Sequence, residues 1–339
     1  MLQPFLKIFP DRKHRPLRAS STHSTPLKPE ASSTPTAVPW YSWLLLLFLS
    51  LMWGSSYILI KKALLVFSPL QVGALRLSIS SLAFLPYFLF QWRKVDWSRG
   101  YWLLLVGLTG TALPSILFPL AQTHISSSVT GILNSMTPLF TLLIGILVFR
   151  APVIWAKALG VLLGLLGAIL LILGGTGAEF GGNFGFGLLI VLATISYATS
   201  TNTVAYKLQG MSSLLISGIS FTMVGIPAIA LSLFLGVPEV IATHPDAAVG
   251  LLRVTILALG STVLASVLFF RLIQIMGPIS SSMVSYIVPI VALIWGTWDG
   301  EVISWVHFLG MGLIFGGVYL SRRKKRALND TFKSDALDL

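Results

Sequence analysis

Residues 126–145 read SSSVTGILNSMTPLFTLLIG, and residues 277–296 read GPISSSMVSYIVPIVALIWG; a shift of 151 residues lays one on the other without a gap. Pro138 then meets Pro289, and Gly145 meets Gly296. Each stretch is apolar and about 20 residues long, enough to cross a bilayer, yet each carries a helix breaker near its middle. In the first, Ser127, Thr130, Asn134, Thr137 and Thr141 recur every three or four positions and form one polar stripe. Pro138 cannot donate to the carbonyl about one turn back, near Asn134, so the break and the polar stripe belong together. Pro289, beside Ser285 and Tyr286, repeats the device. The two prolines are therefore read as kinks that form the halves of a gate.

The match extends outward. The same shift lays 108–150 on 259–301, pairing Thr111 with Thr262, Ser115 with Ser266 and Phe118 with Phe269. Leucine matches are cheap in an apolar chain, so the proline, glycine, serine and threonine coincidences carry the weight. One residue less of offset pairs Trp155, Gly160 and Gly167 with Trp305, Gly310 and Gly317.

The whole chain suits lipid as its solvent. Of its 339 residues, 55% are hydrophobic and 10% charged, against about 25% charged in soluble domains; the mean hydropathy is +0.86. Hydropathy predicts ten spans, near 41–61, 69–90, 101–122, 126–148, 153–174, 184–206, 212–236, 251–273, 279–298 and 302–320. The expected fold is an all-α integral membrane protein of ten transmembrane helices, arranged as two repeats of five. An odd number of spans inserts the second repeat upside down, the arrangement that lets two units exchange conformations around a midplane cavity. The boundaries read as a tail at 1–39, a first repeat at 40–175, a second at 183–320 and a tail at 321–339.

The net charge of +12 lies in tails and short loops, so topology explains it and nucleic acid is not expected as a partner. Lys and Arg cluster in both tails and in the loop at 91–100, which predicts both termini on the cytoplasmic side of the cell (inner) membrane. The first forty residues, rich in Ser, Thr, Pro and basic residues, read as a disordered basic tail, with an organelle transit peptide as the alternative. The chain has no cysteine, so disulfides and thiolate chemistry are excluded. No phosphate loop or metal-spaced cluster is present, and neither cofactor nor metal is expected. A membrane-embedded enzyme or receptor is the reading from a different class, and the inverted repeat argues against both.

LMWGSSYILIKKAL in span 1, ALRLSISSLAFLP in span 2, ILNSMTPLFTLLIG in span 4 and SYIVPIVALIWGTWDGE in span 9 resemble the EamA family of the drug/metabolite transporter superfamily. The resemblance covers about 40–320. It implies two EamA repeats, a central cavity lined mainly by spans 1–4 and 6–9, and export of metabolites or amino acids; a plastid-type organelle exchanger is the alternative. The family usually closes spans 4 and 9 with Gly-Glu. Here span 9 has Gly300-Glu301, whereas the matching position in span 4 is Phe149-Arg150.

Candidate cavity residues follow from the polar and aromatic groups inside spans. Trp53, Ser56 and Tyr57 share one side of span 1. Span 6 offers Tyr197 and Asn202 among Ser196, Ser200 and Thr203. Thr130, Asn134 and Thr137 come from span 4, and Ser266, Ser285 and Tyr286 from the second repeat. Aromatic walls with a few hydroxyls and amides suit a small amphipathic metabolite, although Ser, Thr and Asn also join membrane helices. Arg76 is the one basic residue well inside a span; it either holds a substrate carboxylate or satisfies carbonyls at helix breaks, and the second reading is favoured. No Asp or Glu lies mid-span, which predicts facilitated efflux or exchange, or a proton step at Glu301 or Asp299. Lys61 and Lys62 are expected to snorkel. Gly160-x-x-x-Gly164 and Gly312-x-x-x-Gly316 predict close packing of spans 5 and 10, with a homodimer as a further use.

Overall fold

The computed structural model describes residues 39–149 and 184–322 and, between them, 159–160, 162–164, 166–167 and 169–170. Both basic tails, Arg150 and most of span 5 lie outside the described residues. Among the described residues there is no strand, and eight helices are long and apolar enough to cross a membrane. These are α1 (Tyr41–Ala63), α2 (Pro69–Gln91), α3 (Trp97–Gln122), α4 (Ser127–Leu147), α6 (Phe184–Lys207), α7 (Ser213–Phe234), α8 (Ala247–Met276) and α9 (Pro278–Trp298). The helical residues described between 159 and 170 are labelled α5, and α10 is Trp305–Arg322. Eight of the ten expected spans are thus present at full length; α10 has a shorter apolar stretch, Trp305–Gly317.

Local chemistry sets where the helices start. Ser68 accepts from Gln71 N while the Gln71 amide oxygen accepts from Ser68 N at 2.8 Å, a reciprocal cap strengthened by Pro69 at the first helical position. Ser126 and Ser212 cap α4 and α7 from one side only, accepting from the N–H groups of Val129 and Leu215. Two helices carry a widened π turn, Leu108–Ala112 in α3 and Leu257–Leu264 in α8, and the two overlap under the 151-residue shift. Pro114 follows the first and cannot donate one turn back. At the second, the aligned residue is Ala265, so proline is not the shared cause.

Neighbouring helix ends fix their directions. Lys61 and Lys62, at the end of α1, meet Asp299 and Glu301, just beyond α9, and Glu301 meets Ser127, the start of α4. We call this the distal end and the end holding Tyr41 the proximal end. Phe149 beyond α4 stacks on Tyr206 of α6, and Arg99 at the start of α3 donates to Gln209 O just past α6. The C-terminus of α6 is therefore proximal, whereas that of α1 is distal. The packing pairs α1 with α9 and α4 with α6, and the most extensive contact joins α2 to α7. Exchanging each helix for the one five places on maps this set of contacts onto itself.

Glycines permit the closest crossings. A methyl at Gly54 would lie 2.4 Å from Val291 Cβ, and one at Gly131 would lie 2.4 Å from Ala292 Cβ. Adjacent residues of α9 thus press on α1 and on α4. The glycines of α5 and α10 pack against each other: a methyl at Gly317 would lie 2.4 Å from Gly160 O, and one at Gly167 would lie 2.8 Å from Gly310 O. Gly312 meets nothing within 4 Å, so the close approach uses Gly317 and Gly310 in place of the expected Gly312.

Candidate functional site

The quoted stretch 126–145 falls almost wholly in α4, and α4 is the most enclosed of the eight spans, 83% buried. It is interrupted at Ser135 and Met136, between Ser127–Asn134 and Thr137–Leu147. The Asn134 carbonyl freed near Pro138 accepts a hydrogen bond from Thr137 Oγ1 at 2.8 Å. Pro289 lies inside an unbroken helix, Val284–Trp298; the interruption in α9 comes earlier, at Ser282 and Met283. The two prolines align in sequence, but only Pro138 sits beside a break.

Next to that break lies a central cavity of about 70 Å³, well below the roughly 300–1,000 Å³ of ordinary small-molecule sites. The cavity is small. Nine of the twelve expected residues line it: Trp53, Ser56, Tyr57, Arg76, Asn134, Thr137, Tyr197, Ser266 and Ser285. The aromatic wall has two groups: Tyr57 and Phe118 rings 5.6 Å apart with Phe118 stacked on Tyr197 at 5.9 Å, and Trp53 edge-on to Phe269 at 4.9 Å. Phe118 and Phe269 were not among the candidates, though the 151-residue shift pairs them. Gly110, Ser282 and Phe270 also line the cavity and carry no comparable signal in the sequence.

Three candidates lie away from it. Thr130 is buried and donates to Ser126 O at 2.8 Å; Ala292 and Tyr57 pack beside the neighbouring Gly131. Asn202 Nδ2 donates to Thr141 O and Ala198 O, both at 2.9 Å, and ties α6 to α4. Tyr286 turns its ring toward Phe315 of α10, 5.6 Å away. One residue is 100° of rotation on a helix, which separates Tyr286 from the lining Ser285.

The π turn of α8 is held from the first repeat. Trp53 Nε1 donates to Ser261 O at 2.9 Å, Ser261 Oγ donates to Met52 O at 3.0 Å, and Arg76 Nε donates to Thr262 Oγ1 at 2.7 Å. A widened turn frees carbonyls from the helical ladder, and these side chains take up the slack. The Tyr197 side chain lies beside the Arg76 guanidinium.

Charged groups are tied together at the distal end. Glu301, its side chain 5% exposed, receives Lys61 Nζ at 2.7 Å. Its two carboxylate oxygens also accept from Ser127 N and Ser128 N at 3.0 Å each, and from the two hydroxyls at 2.7 and 2.5 Å. A carboxylate at a helix N-terminus is favoured by the free N–H groups and the dipole. Asp299 pairs with Lys61 at 2.7 Å and with Lys62. Burial alone would push both carboxyls up, but hydrogen bonds from the lysines, and for Glu301 from Ser128 and Ser127, outweigh it and hold both below the usual carboxylate range. Lys61 and Lys62 therefore form ion pairs where snorkelling was expected, because acidic groups 240 residues away reach them. Under the 151-residue shift Ser127 and Ser128 become Pro278 and Ile279, which offer one fewer N–H and no hydroxyl, and Glu301 becomes Arg150.

Comparison with known proteins identifies the fold's relatives. The model of the EamA-like transporter family matches residues 40–173 and again 186–323. The chain belongs to the EamA-like transporter family. Among relatives, an uncharacterized inner membrane transporter of Escherichia coli K12, YedA, is 26% identical over 275 residues, covering 80% of this chain and 87% of that one. An uncharacterized transporter of Bacillus subtilis, YdfC, is 25% identical over 287 residues, with 83% and 90% covered; an uncharacterized transporter of Archaeoglobus fulgidus is 20% identical, with 84% and 99% covered. A solved crystal structure shares the fold with a TM-score of 0.56 at 18% identity, covering 85% of this chain and 99% of that one. As an EamA-like protein the chain is a multi-pass membrane transporter, not an enzyme.

Proposed function

We propose that the chain exports small amphipathic metabolites by alternating access through the cavity between its two repeats, with both termini cytoplasmic and the distal end outside. The carrying observation is the cavity's composition: aromatic walls, hydroxyls and the Arg76 guanidinium, drawn from α1, α2, α3 and α4 of one half and α6, α8 and α9 of the other. Opposite directions of α1 and α6, and a contact pattern that maps onto itself, support two inverted units that exchange roles. The small cavity and the ionic distal closure correspond to a form shut toward the outside. Opening outward parts Glu301 from Ser127 and Ser128, and the interrupted α4 supplies the bend.

The chain has no cysteine, so a single Ser266→Cys reports cavity access cleanly. Vesicles of both orientations are exposed to a membrane-impermeant maleimide. Labelling from both faces is expected, with the share from the distal face raised in Glu301→Gln. Labelling from one face only in both backgrounds, with loop controls labelled normally, overturns the reading.

A further inference from the structure

Arg76 is 6% exposed and, among the described residues, is the only one lining the cavity with a full charge. Its hydrogen-bond partner, Thr262, and its neighbour Tyr197 are both neutral. Among the described residues the ion pairs fall elsewhere, on Lys61, Lys62 and Arg99. Asp299 and Glu301 cannot serve Arg76, since the lysines and the α4 start already hold them. A buried charge lacking a counter-ion is costly to leave so. Thr262 is itself engaged, donating to Leu257 O across the π turn at 3.2 Å, and it fixes the guanidinium at Nε. A second group points the same way: Ser200 lines the cavity, is 3% exposed, and its hydroxyl has no hydrogen-bond partner among the described residues.

We propose that the cavity selects substrates bearing one carboxylate on an aromatic or apolar body, with Arg76 and Ser200 as the donors to that carboxylate. This rests on the transport reading above and narrows it. A guanidinium offers a fork that matches a carboxylate edge. The rings of Tyr57, Phe118 and Tyr197 provide a wall for a flat apolar body. Among the described residues no carboxylate lines the cavity to receive an ammonium, so a net anion is preferred over the zwitterion or the amine.

Purified full-length protein is melted with 3-phenylpropionate, 3-phenylpropionamide and 3-phenylpropylamine, matched in size and differing in charge. The acid is expected to raise the melting temperature saturably and the amide and amine to do so little. The apparent affinity for the acid should fall roughly ten- to a hundredfold in Arg76→Gln, the scale of a lost charge-assisted hydrogen bond, and less in Arg76→Lys. An amide as effective as the acid on the wild-type protein, no shift with the acid, or an unchanged acid preference in Arg76→Gln each overturns the proposal. The wild-type comparison stands whether or not the variants fold. Such a failure beside two-faced labelling of Ser266→Cys removes only the anion; one-faced labelling removes the transport reading as well.

Discussion

The Glu301 carboxylate lies 2.7 Å from Lys61 Nζ across 240 residues of chain. It joins the loop after α9 to the last turn of α1, and through Ser127 and Ser128 to the start of α4. Both Glu301 and Asp299 have carboxyls held below their ordinary values. The lowered folded value means their contribution is fully present above the unfolded values, about 4.3 and 3.9, and is lost as the pH falls through the lower folded ones. Melting temperature should therefore be insensitive to these two groups from pH 8 to 5 and decline below about pH 4. Glu301→Gln should lower stability at pH 7 by about 2 kcal/mol and flatten the acid decline; an unchanged melting curve at pH 7 counts against the closure.

The crossing of α9 over α1 and α4 depends on the absence of two methyl groups. Gly54→Ala and Gly131→Ala should each cost about 1–3 kcal/mol, read as loss of melting temperature in detergent. Val291→Ala should recover a smaller part of the Gly54→Ala loss, because it removes the Val291 Cγ1 that the new methyl meets at 2.7 Å while the Cβ at 2.4 Å remains. Gly312→Ala, with open space around it, should be close to neutral.

Pro138 should matter more for transport than for stability. Pro138→Ala restores an N–H beside the break in α4 and should raise the melting temperature or leave it unchanged. Efflux from loaded vesicles should fall by about tenfold, an order-of-magnitude estimate set by a change of ~1.4 kcal/mol in the bending step. Pro289→Ala, placed inside an unbroken helix, should have a smaller effect. Equal effects of the two would contradict the structural difference between α4 and α9.

Trp53 is pinned by its indole N–H to the π turn of α8. Trp53→Phe should cost about 1–2 kcal/mol, the price of a buried carbonyl left unpaired, and should loosen α1 from α8. Hydrogen exchange at 257–264 should quicken in the variant while exchange in α7 is unchanged.

Much of the site was legible because membrane helices put polar residues where they are needed. Trp53, Tyr57, Asn134 and Tyr197 could be read from type and spacing alone. Thr130 and Asn202 failed for one physical reason: a hydroxyl or amide inside a helix can satisfy a carbonyl one turn back, and nothing in its identity distinguishes that use from lining a cavity. Tyr286 failed on rotation about the helix axis, which hydropathy does not resolve. The π turns were invisible, since one extra residue in a turn changes which side chains face inward without changing composition. The pairing of Lys61 with Glu301 rests on contacts between distant segments, although the departure from Gly-Glu at Phe149-Arg150 already marked the two halves as unequal.

That inequality has a thermodynamic meaning. Two copies of one unit joined head to tail would leave an unladen carrier equally content facing either way. Here the carboxylate clasp is built at the start of α4, while the corresponding start of α9 presents Pro278, with no N–H to give, and Ile279, with no hydroxyl. Under the alternating access proposed above, the balance between the two resting poises is thus tilted before any cargo arrives, and the tilt is written into the side chains of the clasp rather than into a gradient.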